Sequence, residues 1–218
     1  MAHSEANEGK ISGGMAVEKR NLIVDLGGVL TGLDRRRCID AFTAIGAEAI
    51  ACYVDECRQE DLFHDLEVGA TGVGEFCDAV RRACPGCTAD DKAICDAWNA
   101  LLTGIPQSRL DLLLELKRDH RLVLLSNTNP IHWRKAEACF FTAGGLAVDD
   151  YFENVFLSYR MHLLKPGEAI FRQVLRETGF APEDTLFIDD SAANRATAVR
   201  LGMAAVAELE AVACLEYM

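Results

Sequence analysis

Three short apolar runs lie far apart in the chain, and each ends in polar residues. Leu-Ile-Val runs into Asp25, Leu-Val-Leu-Leu into Ser126-Asn127, and Thr-Leu-Phe-Ile into Asp189-Asp190. An unbroken apolar run of four or so residues, closed by a turn signal, reads as a strand buried on both faces. Gly27-Gly28 supplies that turn signal after Asp25. Residues 154–158 and 203–207 read as two further strands. Helical texture separates them, over residues 108–119, 132–140 and 192–201 and in a segment opened by Pro166 and closed by Gly179. Strands alternating with helices predict an α/β fold, a Rossmann-like three-layer sandwich around a parallel sheet. Ligands of such sheets bind beyond the C-terminal strand ends. Asp25, Ser126, Asn127, Asp189 and Asp190 are therefore expected to meet at one crevice.

Residues 35–104 interrupt this pattern. Ile39, Phe42, Ile50, Tyr53, Val54 and Cys57 keep helical spacings, as do Val73, Phe76, Cys77 and Val80, and then Ile94, Trp98, Leu101 and Leu102. Thr88-Ala-Asp-Asp91 resembles a capping box opening the third stripe. The expected organisation is a polar, flexible leader over residues 1–20, an α/β core over 21–34 and 105–218, and a helical insert over 35–104. Within the insert, Phe63-His64 and Trp98-Asn99 pair an aromatic surface with hydrogen-bonding groups, which suits a sugar pocket. Packing for the aromatics and solvent for the polar pair is an equal reading.

The formal net charge of −12 disfavours nucleic acid and anionic membrane surfaces. It also repels phosphate esters, so a phosphate site here needs local positive charge. No window approaches the roughly 18 apolar residues of a membrane span, and the first twenty residues have no apolar signal region. A cytoplasmic protein, monomeric or weakly dimeric, is expected. Nine cysteines, an odd count, argue against a disulfide framework. Cys84-Pro-Gly-Cys87 has redox spacing without a preceding strand and reads as incidental small apolar residues.

The order of these motifs resembles the haloacid dehalogenase superfamily over about residues 21–207. A strand ending in Asp25, a strand ending in Ser126-Asn127, Lys165 at a helix start and the paired Asp189-Asp190 each stand at the family's station. Singly each has a bland reading. Ser126 could be a helix cap, Lys165 a solvated lysine, and the paired acids a favourable charge at a helix N-terminus. Asp25 is harder to dismiss, because a buried charge needs a partner or a metal.

The resemblance implies a magnesium-dependent phosphatase acting on a small phosphate ester. In it Asp25 is the nucleophile that forms an aspartyl-phosphate. Asp25, the backbone carbonyl of Gly27, Asp190 and, at lower rank, Asp189 hold Mg²⁺, an ion that prefers oxygen ligands. Ser126 and the backbone N–H of Asn127 grip phosphate oxygens, and Lys165 offsets charge. The insert then corresponds to a helical cap that selects the substrate.

At one position the pattern breaks. Most phosphatases of the superfamily carry a second Asp two residues after the nucleophile, as general acid and base. Here that residue is Gly27. A bacterial subgroup acting on sugar phosphates, glucose 1-phosphate among them, shares the Asp-x-Gly-x-Val, Ser-Asn-Thr-Asn and Lys-Pro segments. Dehalogenases also vary this position, so haloacid hydrolysis is an alternative, as is a catalytically weak binding or regulatory protein. General acid–base catalysis is worth about 10²–10⁴-fold, so a site without the second acid is expected to be slower and to favour anomeric or otherwise activated phosphates.

Overall fold

The computed structural model describes residues 20–55 and 62–215. Five strands, β1 (Asn21–Val24), β2 (Arg121–Ser126), β3 (Asn154–Leu157), β4 (Thr185–Ile188) and β5 (Ala204–Val206), form one sheet in the order β3-β2-β1-β4-β5. Every pairing is parallel. Val24 of the central strand stands opposite Leu124 on one side and Ile188 on the other. This register sets Asp25 beside the start of the Asp189-Asp190 pair, with Ser126 at the end of the other neighbour.

The sheet is buried on both faces because its strands alternate apolar side chains between two layers. On one face, Leu22, Val24, Leu124 and Ile188 pack against α6 (Gln107–Leu116) and α7 (Pro130–Cys139). On the other, Ile23, Val123, Leu125 and Phe187 pack against α10 (Glu168–Thr178) and α11 (Ala192–Arg200). Burying each such side chain contributes roughly 1.5–3 kcal/mol. The remaining core helices are short: α8 (Val148–Tyr151), α9 (Ser158–Met161) and α12 (Glu210–Leu215).

Between β1 and β2 the described chain is helical: α1 (Arg35–Ala44), α2 (Glu48–Asp55), α3 (Leu62–Glu67), α4 (Val73–Ala83) and α5 (Asp91–Asn99). These helices build an apolar cluster of their own around Phe42, Ile50, Leu66, Phe76, Ile94 and Trp98, joined by Ile131 of α7. Cys84 and Cys87 are free thiols buried in that cluster.

Several local expectations change. The first stripe of the insert is two helices, because the chain turns at Gly46 with φ 76°. Cys57 lies outside the described residues, as does the leader apart from Arg20. Asp90, not Thr88, caps α5, its carboxylate accepting from the Ala93 N–H at 2.8 Å. Pro166 stands in the turn before α10, which opens at Glu168 with Gly167 as its cap. The Pro166 carbonyl is instead tied to α11 by the Thr197 hydroxyl at 2.9 Å. Among the described residues no helix is long and apolar enough to cross a membrane.

Candidate active site

The turn after β1 fixes the first carboxylate. The Asp25 N–H donates to the Ile188 carbonyl at 2.9 Å, and its side-chain Oδ1 accepts from the Leu26 N–H at 2.7 Å. Three residues on, the Gly28 N–H donates to the Thr31 carbonyl. Gly28 has φ 77°, and a Cβ there would collide with the Asp190 carboxylate. Glycine is therefore required, for backbone conformation and for space alike.

Lys165 is the centre of the site. Its Nζ lies 2.9 Å from Asp25 Oδ1, 2.6 Å from Asp189 Oδ2 and 3.0 Å from the Leu125 carbonyl. Only 4% of the residue is exposed, which removes the reading of a solvated lysine. Asn127 positions it from the end of β2. The Asn127 amide donates to the Lys165 carbonyl at 2.9 Å, and its oxygen accepts from the Lys165 N–H at 2.9 Å. Ser126 ends β2, buried at the sheet edge.

The paired acids divide their work. Asp189 is fully buried and its acceptor capacity is in use. Oδ1 accepts from the Ser191 N–H and the Asn194 amide, and Oδ2 accepts from Lys165 and the same amide. Asp190 is exposed to the crevice. Arg195 donates to the carbonyls of both residues at 2.7 Å and holds the turn.

Burial pushes the Asp25 carboxyl up to about 6, reinforced by Asp189 and opposed by Lys165. Burial alone would lower the Lys165 ammonium, but Asp25 and Asp189 outweigh it and hold the group above its usual range.

Three carboxylates, Asp25, Asp189 and Asp190, bring oxygens within 4.8 Å of one another. They face one ammonium, so the cluster holds an excess of negative charge that a divalent cation would balance. An all-oxygen donor set of this kind fits Mg²⁺. Asp25 and Asp190 keep free lone pairs for it, whereas Asp189 would have to surrender an existing bond.

These groups open into a cavity of about 510 Å³. Gly27, Ser126, Asn127 and His132 line it from the core side, and Val54, Phe63, Glu67 and Trp98 from the insert. Of the pocket pairs expected from sequence, only the aromatic members take part. His64 is exposed beside Asp65, and Asn99 does not line the cavity. Trp98 lies tilted against Phe63 at 4.3 Å and stacks on His132 at 4.5 Å between ring centroids. His132 Nε2 donates to the Trp98 carbonyl at 3.0 Å, while Nδ1 accepts from the Asn129 amide at 3.2 Å. Burial holds this imidazole neutral, with its pKa lowered to about 4.

Sequence reasoning missed Asn194, Ser158, His132 and Glu67. Asn194 sits in the first turn of α11 and Ser158 opens α9, places that short polar residues also take as ordinary caps and turn formers. His132 has a partner fixed only by tertiary packing, and Glu67 sits in the helical insert without a local motif.

A haloacid dehalogenase-like hydrolase family model matches residues 19–202 of this chain. D-ribitol-5-phosphate phosphatase of Bacteroides thetaiotaomicron is 30% identical over 175 residues, which cover 80% of this chain and 84% of that protein. A HAD family enzyme of the same bacterium, solved in complex with magnesium and inorganic phosphate, is 41% identical with a TM-score of 0.81, covering 86% of this chain and 92% of that one. A HAD-like family hydrolase from Porphyromonas gingivalis is 36% identical with a TM-score of 0.83, covering 91% and 98%.

Proposed function

This chain belongs to the haloacid dehalogenase-like hydrolase family, and from that premise we propose that it is a magnesium-dependent phosphatase for a sugar or sugar-alcohol phosphate. The observation that carries this reading is Lys165, buried between Asp25 and Asp189 at a sheet edge where Asp190 supplies a third acid. The likeness to a ribitol-5-phosphate phosphatase and to a structure holding magnesium and phosphate supports the substrate class and the ion.

A phosphate monoester is an anion, and so is its nucleophile, so the site has to neutralise charge before attack. Asp25 attacks phosphorus, the bond to the leaving oxygen breaks, and an aspartyl-phosphate forms; water then releases phosphate and restores the carboxylate. Ser126 and the Asn127 N–H hold phosphate oxygens, and Lys165 offsets charge on nucleophile and transferring group. Asp25, Asp190 and the carbonyl of Gly27 are the residues that would hold Mg²⁺, which supplies charge neutralisation on the phosphate. Asp189 orients Lys165 from outside that set. In this reading residues 35–104 are a cap over a core of 21–34 and 105–218, and the cap chooses the substrate. The protein acts in the cytoplasm as a monomer or weak homodimer.

The test is a panel of sugar and sugar-alcohol phosphates assayed with magnesium and with a chelator. Turnover that requires the metal, and is abolished in a folded Asp25→Asn variant, is the expected result. Metal-independent release of halide from a 2-haloacid would install the dehalogenase alternative. Tight binding of the phosphates without turnover would make the protein a binding or regulatory one.

A further inference from the structure

Gly27 leaves the core without a proton donor for the leaving oxygen, and the molecule offers a carboxyl from elsewhere. We propose that Glu67, delivered to the cavity by the helical insert, is the general acid and base of the reaction. The inference rests on the phosphatase reading above.

Glu67 is the last residue of α3 and lines the same cavity as Asp25, Ser126, Lys165 and Asp190. Its position is fixed by backbone contacts to the core. The Ser158 hydroxyl lies 2.7 Å from the Glu67 carbonyl oxygen, and Ser158 Oγ also accepts from the Thr128 N–H at 2.9 Å. Thr128 directly follows the Ser126-Asn127 pair, so one hydroxyl ties the insert to the phosphate-binding turn. His162 Nδ1 donates to the Val68 carbonyl at 2.9 Å. Gly69 then adopts φ 70° against α9, where a Cβ would collide with the Tyr159 carbonyl. Three consecutive residues are thereby clamped to the core, and the side chain of the first is left for the cavity.

Among the described residues the Glu67 carboxyl has no hydrogen bond or ion pair. The charged groups sharing the cavity are Asp25, Asp190, Lys165 and Arg35, with neutral His132 on its wall beside Trp98. Burial, rather than any of these charges, pushes Glu67 up to about 7. A carboxyl so poised donates and accepts a proton near neutral pH. The tether holds half-buried Glu67 on the wall of the cavity that Asp25, Ser126 and Lys165 also line.

The protons balance over the two steps. As Asp25 forms its bond to phosphorus and the ester P–O bond breaks, the Glu67 proton passes to the departing oxygen, which leaves as the alcohol. The resulting Glu67 carboxylate takes a proton from the water that attacks the aspartyl-phosphate. The P–O bond to Asp25 breaks, phosphate leaves, and Glu67 is an acid again. A primary alkoxide is a poor leaving group without that proton, so the expected preference for anomeric phosphates loses its ground.

The experiment compares wild type with Glu67→Gln, which keeps size and backbone clamp, on an alkyl phosphate and on p-nitrophenyl phosphate. The variant is expected to lose alkyl phosphate turnover by about 10²–10⁴-fold, with little change in KM. On the aryl ester it should give a rapid burst of one nitrophenolate per site followed by slow turnover, because this leaving group needs no proton but the second step needs a base. The wild-type kcat/KM for the alkyl ester should fall as pH rises through about 7, and the variant should lack that limb. Wild-type kcat for the alkyl ester in a folded variant, or a loss confined to KM, overturns the proposal. Failure of wild type to turn over any phosphate ester would strike the phosphatase reading instead.

Discussion

Lys165 Nζ stands 2.9 Å from Asp25 Oδ1, with side-chain exposures of 1% and 10%. A pair this dry is held in register by everything around it, and the bonds to Asp189 and to the Leu125 carbonyl complete the ammonium's three donors. Charge on the nucleophile is thus balanced while its second oxygen stays free. The consequence is that activity and stability are coupled at one residue.

Lys165→Ala removes the partner of two buried carboxylates. Breaking a buried pair from one side costs about 3–5 kcal/mol, and losing a group that stabilises the transition state lowers kcat by about 10²–10³-fold. Both effects are expected, read by urea unfolding and by steady-state kinetics at saturating magnesium. A variant with wild-type kcat and only a lower unfolding midpoint would reduce Lys165 to a structural counter-ion.

Magnesium should stabilise the fold, because it binds the native arrangement of acids and not the unfolded chain. At about 100 times its Kd, the gain is about 2.7 kcal/mol. Chelation should therefore lower the melting temperature. In Asp190→Asn the magnesium titration should shift to higher concentration, by about tenfold or more. An unchanged titration in that variant would exclude Asp190 as a ligand.

His132 predicts acid sensitivity that has nothing to do with the chemistry. Its folded pKa is depressed from 6.5 to about 4, so the unfolded chain takes up a proton first as pH falls. Stability present above about pH 6.5 is lost progressively down to about pH 4, to a total of about 3 kcal/mol. His132→Gln should flatten unfolding free energy against pH in that window. The same slope in variant and wild type would place the acid-sensitive group elsewhere.

How much of this was legible in the sequence follows from range. β1 and β4 match the expected strands at Asn21–Val24 and Thr185–Ile188, because an apolar run buried on both faces is a local signal. The convergence of Asp25, Ser126 and Asp189 followed from placing polar residues at strand ends. Relations across the insert were not legible. Trp98 on His132, and Ser158 under Glu67, join residues separated by 34 and 91 positions. Such pairs leave no periodicity. The capping box at Thr88 failed for the opposite reason, since Asp90 offers an equally good cap two residues later.

Gly27 supplies the sharpest test of where the proton comes from. Its backbone is not in the left-handed region, and a Cβ built there would meet only the Leu33 methyls at 3.6 and 3.7 Å, ordinary contact. Gly27→Asp should therefore fold, and it puts a carboxyl two residues after the nucleophile. If Glu67 already supplies the proton, the single variant gains little on alkyl phosphates, because the step is not short of an acid. In a Glu67→Gln background the same substitution should raise alkyl phosphate turnover by about 10–10²-fold, a partial return of an acid–base contribution worth about 10²–10⁴-fold. The measurement is kcat over a leaving-group series for the four proteins, with circular dichroism to establish folding. Wild type should depend weakly on leaving-group pKa, Glu67→Gln steeply, and the double variant in between. A steep dependence in wild type, flattened by Gly27→Asp alone, would mean that no residue replaces the missing Asp and that activated esters are the true substrates.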